Sequence, residues 1–90
     1  EVRQDIALLE AAREQVILQR ESLKLVAENR DMARSEYEAG QASLVRLNEA
    51  QRDLSTTHGR LAQAQVAWER ARERLLAATG RNVQMPEDRR

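Results

Sequence analysis

The stretch Ser35-Glu36-Tyr37-Glu38-Ala39-Gly40-Gln41-Ala42-Ser43-Leu44 divides the chain. On both sides of it the sequence is rich in Ala, Leu, Arg, Glu and Gln, the residues that lose least on entering a helix. Gly40 breaks that composition, and the hydrophobic pattern restarts after it, so one helix ends here and a second begins. The other punctuation is Gly59, Gly80 and Pro86. The expected fold is all-α, a long antiparallel two-helix coiled-coil hairpin. It divides into a descending helix over 1–39, a tip turn over 40–43, a returning helix over 44–79 and a polar tail over 80–90 expected to be disordered. Thr79-Gly80 supplies the C-terminal stop.

Working outward on the first arm, Val2, Ile6, Leu9, Ala12, Val16, Leu23, Val26, Ala33 and Tyr37 step mostly by 3 and 4, the helical period, with Arg20 and Arg30 interrupting. A second row, Leu8, Ala11, Leu18, Leu25 and Met32, runs about 100° around the helix from the first. An arc that wide implies contact with more than one neighbour, because a two-stranded coiled coil needs only a narrow seam. On the second arm Leu44, Leu47, Gln51, Leu54, His58, Leu61, Gln65, Trp68, Arg72, Leu75 and Thr79 alternate steps of 3 and 4 without a slip. The phase carries across Gly59, which predicts one long helix packed through Leu47, Leu54, Leu61, Trp68 and Leu75, the alternative being a break at Gly59 beside Thr56 and Thr57 that would make three helices. Beside it lies a sevenfold row of small residues, Ala50, Thr57, Ala64, Ala71 and Ala78. Another backbone could approach closely along that row. At 1.5 Å per residue the hairpin would be roughly 57 Å long.

Composition agrees with a rod. Of 90 residues, 41% are apolar, but 14 residues are Ala, Phe is absent, and Trp and Tyr occur once each. The large side chains that fill a globular core are missing. Fifteen Lys+Arg balance 15 Asp+Glu, so no basic stripe tracks phosphates and nucleic acid is not expected as a partner. Residues 1–38 carry six basic and nine acidic groups, net −3, and residues 41–79 six basic and four acidic, net +2, which favours antiparallel pairing of the arms. Opposite charges recur at i,i+3, as in Glu10/Arg13, Glu21/Lys24, Asp31/Arg34, Glu49/Arg52 and Glu69/Arg72, each worth about 0.2–0.5 kcal/mol. The absence of Cys excludes a disulfide framework, a Cys-ligated zinc and a thiol nucleophile. No apolar run approaches the ~18–20 residues of a membrane-spanning helix. The chain opens at Glu1 rather than Met and reads as a segment of something longer.

Candidate chemistry is sparse. His58 falls on the apolar row without Cys or a spaced carboxylate pair to complete a metal set. Glu10/Glu14 and Glu69/Glu73 place carboxylates at i,i+4, but no His shares their turn, so a solvated face is the expectation. Ser55, Thr56 and Thr57 adjoin His58 with no third group to orient it, and nothing resembles a nucleophile elbow or a Gly-rich phosphate loop. Neither catalysis, a cofactor nor a metal is expected. The residue set fits assembly through helix faces, and the exposed arc predicts self-association, as a four-helix dimer for this segment alone.

The run from Ala33 to Leu54, with Tyr37, Gly40, Leu47, Ala50 and Gln51 in phase, resembles the hairpin tip of TolC-type outer-membrane efflux proteins. The segment from Trp68 to Gly80, closing with Leu75-Leu76-Ala77-Ala78-Thr79-Gly80, is similar to the end of that family's returning helix, and the first arm resembles the descending helix of its second repeat. The likeness covers about residues 1–82. It implies a trimer in the intact protein, with β-strands, not contained in this stretch, forming a barrel in the cell outer membrane and long helices forming a hollow periplasmic cylinder. It also implies multidrug or similar export through a periplasmic adaptor that meets the hairpin tips and connects to an inner-membrane pump. Gly40 would mark the tip, with Tyr37, Ala39, Gln41, Ala42, Ser43, Leu44, Val45 and Arg46 nearest the adaptor. Glu36, Val45 and Arg46 depart from the family pattern, which has a basic residue, a small polar residue and an Asp at those places. Two other readings share the composition. One is the α-hairpin of the adaptor itself, expected to carry a different tip. The other is a soluble coiled-coil oligomerisation scaffold, which would lack flanking strands of alternating polarity.

Overall fold

The computed structural model describes residues 2–83, with side chains placed through residue 79. Two helices account for nearly all of it: α1, Val2–Glu38, and α2, Leu44–Val83. They pack against each other along their length as an antiparallel hairpin, and no strand occurs among the described residues. The helix rise makes α1 about 55 Å and α2 about 60 Å long. Helix α2 is continuous through Gly59, whose missing side chain points to open space. It also runs through Gly80 to Val83, beyond the stop that Thr79-Gly80 suggests. A single Gly costs a helix only about 1 kcal/mol relative to Ala, and around Gly59 the seam register continues on both sides. The tail beyond Val83 lies outside the described residues.

The seam between the helices differs from the simplest reading of the periodicity. On α2 the residues turned toward α1 are Leu47, Ala50, Leu54, Thr57, Leu61, Ala64, Trp68, Ala71, Leu75 and Ala78, all buried or half-buried. The small sevenfold row is thus half of the seam and not a face beside it. Gln51, His58, Gln65, Arg72 and Thr79, which complete an unbroken 3-4 alternation with the leucines, are exposed. Desolvation decides the choice: burying four amides, imidazoles or guanidinium groups without partners costs far more than burying alanines.

Helix α1 answers with Val2, Asp5, Leu9, Ala12, Val16, Gln19, Leu23, Val26, Arg30 and Ala33, again stepping by 3 and 4. Ile6, placed on the first apolar stripe by sequence, is exposed. Two cross-helix contacts near the tip, Arg30 to Gln51 and Glu36 to Arg46, set a register that brings Ala33 level with Ala50 and Val16 level with Trp68. Layers of larger side chains therefore alternate with layers of small ones. The small layer nearest the tip is the driest part of the molecule, with Ala33 0% and Ala50 2% exposed. No large side chain among the described residues is fully buried, because a two-helix rod covers one stripe of each helix and leaves the outer edge of every Leu in water. Each half-buried Leu contributes roughly 1 kcal/mol by area removed from water.

Polar residues in the seam have local solutions. The Thr57 hydroxyl donates to the Asp53 carbonyl one turn back at 2.8 Å, so it is buried with its hydrogen bond made inside its own helix. Arg30 holds its Nε 3.0 Å from Asp31 Oδ1 while Nη1 donates to Gln51 Oε1 at 3.3 Å, keeping the charged head at the edge of the seam. Asp5 is buried in the first turn of α1, where the free N–H groups favour a negative charge.

Candidate functional site

The tip is built by two capping motifs in series. Helix α1 ends in a double hydrogen bond: the Gln41 N–H donates to the Glu36 carbonyl at 2.7 Å and the Gly40 N–H to the Tyr37 carbonyl at 3.0 Å. This is the Schellman arrangement, and it requires a left-handed residue, which Gly40 supplies at φ +76°. Three residues later Ser43 caps α2. Its carbonyl accepts the Leu47 N–H at 3.3 Å and its Oγ accepts the Arg46 N–H at 3.2 Å, satisfying donors that the first helical turn leaves free. Helix end, turn and helix start thus occupy Ala39 to Ser43, with the backbone tied at both sides.

Around this turn the nine tip residues singled out by sequence fall together at one end of the rod. Tyr37, Ala39, Gly40, Gln41, Ser43, Leu44 and Val45 are exposed, and Ala42 and Arg46 are half-buried. Leu44 and Val45, 51% and 65% exposed, lie on the first turn of α2 and present apolar surface to solvent. One ionic contact crosses the turn. Arg46 Nη2 lies 3.0 Å and Nε 3.2 Å from the same Glu36 oxygen, Oε1, and both side chains remain about two-fifths accessible. The pairing escaped the sequence reading. Its signal is symmetry about the turn, since the two residues flank corresponding seam positions, but periodicity within each arm does not carry it.

The helix-packing residues Leu47, Leu54, Leu61, Trp68 and Leu75 are half-buried along the seam. Trp68 is too broad for its layer to close, and an open groove of about 450 Å³ remains beside it, bordered by Arg13, Val16, Arg20 and Gln65. The Arg72 guanidinium stands 5.7 Å from the Trp68 ring centre and reaches Glu69 at 3.3 Å. That is the one i,i+3 pair of the five expected that closes. The second apolar row of α1 flanks the seam and stays uncovered: Leu8, Leu18, Leu25 and Met32 are all about half exposed or more, Leu25 at 66%, and Leu8 borders a groove that Ala67, Ala71 and Arg74 of α2 also line.

The weaker candidates resolve simply. His58 is exposed, as are Glu10, Glu14, Glu69 and Glu73, and among the described residues no group of three His, Cys, Asp or Glu stands close enough to share a metal ion. No helix there is long and apolar enough to cross a membrane.

Comparison with known proteins gives one result. The family described as outer membrane efflux protein matches residues 1–81. No curated protein and no solved structure matches the chain.

Proposed function

Since the chain belongs to the outer membrane efflux protein family, a family of transport channels and not of enzymes, we propose that this hairpin forms part of the periplasmic wall of the conduit and docks a periplasmic adaptor at its tip. The observation that carries the proposal is the uncovered apolar row of α1, Leu8, Leu18, Leu25 and Met32. A free two-helix rod would have no use for a second apolar stripe, whereas a helix in a cylinder wall touches neighbours on both sides. In the intact protein the neighbours are the other hairpins of a trimer, anchored by β-strands in the outer membrane, and the adaptor links the tip to an inner-membrane pump. As an isolated segment the same stripe drives self-association, as a dimer of hairpins. Family membership leaves the adaptor hairpin and the soluble scaffold without support.

The test uses the full-length protein in its host envelope. Replacing Gln41–Val45 by a Gly-Ser turn of the same length is expected to leave outer-membrane insertion and trimer mass unchanged while export and cross-linking to the adaptor are lost. Undiminished export would overturn the docking role. Recovery of the full-length protein outside the outer-membrane fraction would overturn the conduit role.

A further inference from the structure

We propose that the order of the two tip charges, anion on α1 and cation on α2, is a recognition feature held against the preference of the helices that carry it. The inference rests on the reading of the tip as a docking surface. Glu36 stands in the last turn of α1, the negative end of the helix macrodipole even with its carbonyls capped, and no basic residue accompanies it there. Arg46 stands in the first turn of α2, the positive end, and no acidic residue accompanies it. Each charge is thus repelled by its own helix end. Exchanging the two would keep the ion pair and reverse both repulsions. It would also set a glutamate three residues after the Ser43 cap, the place from which a carboxylate reaches back to the Ser43 N–H. By stability alone the opposite order is the better one, so the order present serves something outside the hairpin.

The geometry shows what that could be. Both short Arg46 contacts fall on Oε1 of Glu36, and a carboxylate with about four acceptor sites and a guanidinium with five N–H groups keep capacity for further hydrogen bonds. Both side chains remain partly accessible, beside exposed Leu44 and Val45. A partner segment with a hydrogen-bond donor facing Glu36 and an acceptor facing Arg46, carried on an apolar surface, would complete the network without breaking the pair. The reversed order would meet it with like against like.

The experiment exchanges the charges, Glu36→Arg with Arg46→Glu, beside a neutral control, Glu36→Gln with Arg46→Gln. In the 90-residue chain the exchange is expected to raise Tm by roughly 5 °C. A lower Tm would remove the premise. In full-length protein, binding to purified periplasmic adaptors of the host is expected to weaken at least tenfold for the exchange and less for the neutral control. Binding equal to that of the unaltered protein would overturn the proposal. The Gly-Ser tip separates the two claims: if it abolishes binding while the exchange does not, docking stands and the charge order is irrelevant, and if it binds normally the docking reading itself falls.

Discussion

Gly40 and Gly59 are the same residue type under opposite demands. At Gly40 the backbone is left-handed, φ +76°, and a Cβ there would be strained although nothing crowds it. Gly40→Ala is expected to destabilise the hairpin by about 1–2 kcal/mol, read as a lower urea midpoint with an unchanged slope. Gly59 lies within a helix, and an added methyl meets nothing within 4 Å. Gly59→Ala is expected to raise stability by about 1 kcal/mol, so the two substitutions shift the same melting curve in opposite directions. Ser43 is the third fixed point of the tip. Its Oγ accepts from Arg46, and Ser43→Ala is expected to cost about 1 kcal/mol, with faster exchange of the Arg46 amide in NMR as the local sign.

The pairing of the two helices depends on its small layers. At Ala50, 2% exposed and level with Ala33, the helices have no room for a longer side chain. Ala50→Leu is expected to destabilise by about 1–3 kcal/mol, whereas the same change at exposed Ala62 is expected to stay within about 0.5 kcal/mol. Thermal melts of the two variants side by side decide it. Existence and direction of the elements were legible from Gly40 and the 3-4 stepping around it, and the leucine half of the α2 seam was legible too. The other half was not, because Gln51, His58, Gln65 and Arg72 keep as regular a phase with the leucines as Ala50, Thr57, Ala64 and Ala71 do. Phase alone cannot choose between the two rows, and only the desolvation penalty separates them. Asp5, Gln19 and Arg30 hold seam positions on α1 for a related reason: a rod two helices thick lets polar heads reach its edge, so a polar residue does not mark a surface position. At the tip the turn was legible and the Glu36–Arg46 contact was not, since it depends on the register between arms.

At the scale of the molecule, the hairpin is a single layer whose outer α1 row remains uncovered. Leu18→Glu with Leu25→Glu leaves the seam untouched, because both side chains are exposed and hold no seam position. The pair of changes is expected to convert a self-associating segment to a monomer in sedimentation while helicity by circular dichroism stays the same. Loss of helicity, or an unchanged sedimenting mass, would contradict the reading of that row as a contact surface. The tied turn has a kinetic consequence. Residues that meet across the seam are separated by ever fewer intervening residues toward Gly40, so chain closure is least demanding there and grows steadily dearer toward the open end. Folding is then expected to start at the tip and zip outward, and unfolding to fray inward from Val2 and Ala78. Amide exchange should be slowest around Ala33 and Ala50 and fastest at the open end. Docking loops are commonly drawn from the least stable part of a protein; here the end proposed to dock a partner is expected to be the first to form and the last to melt.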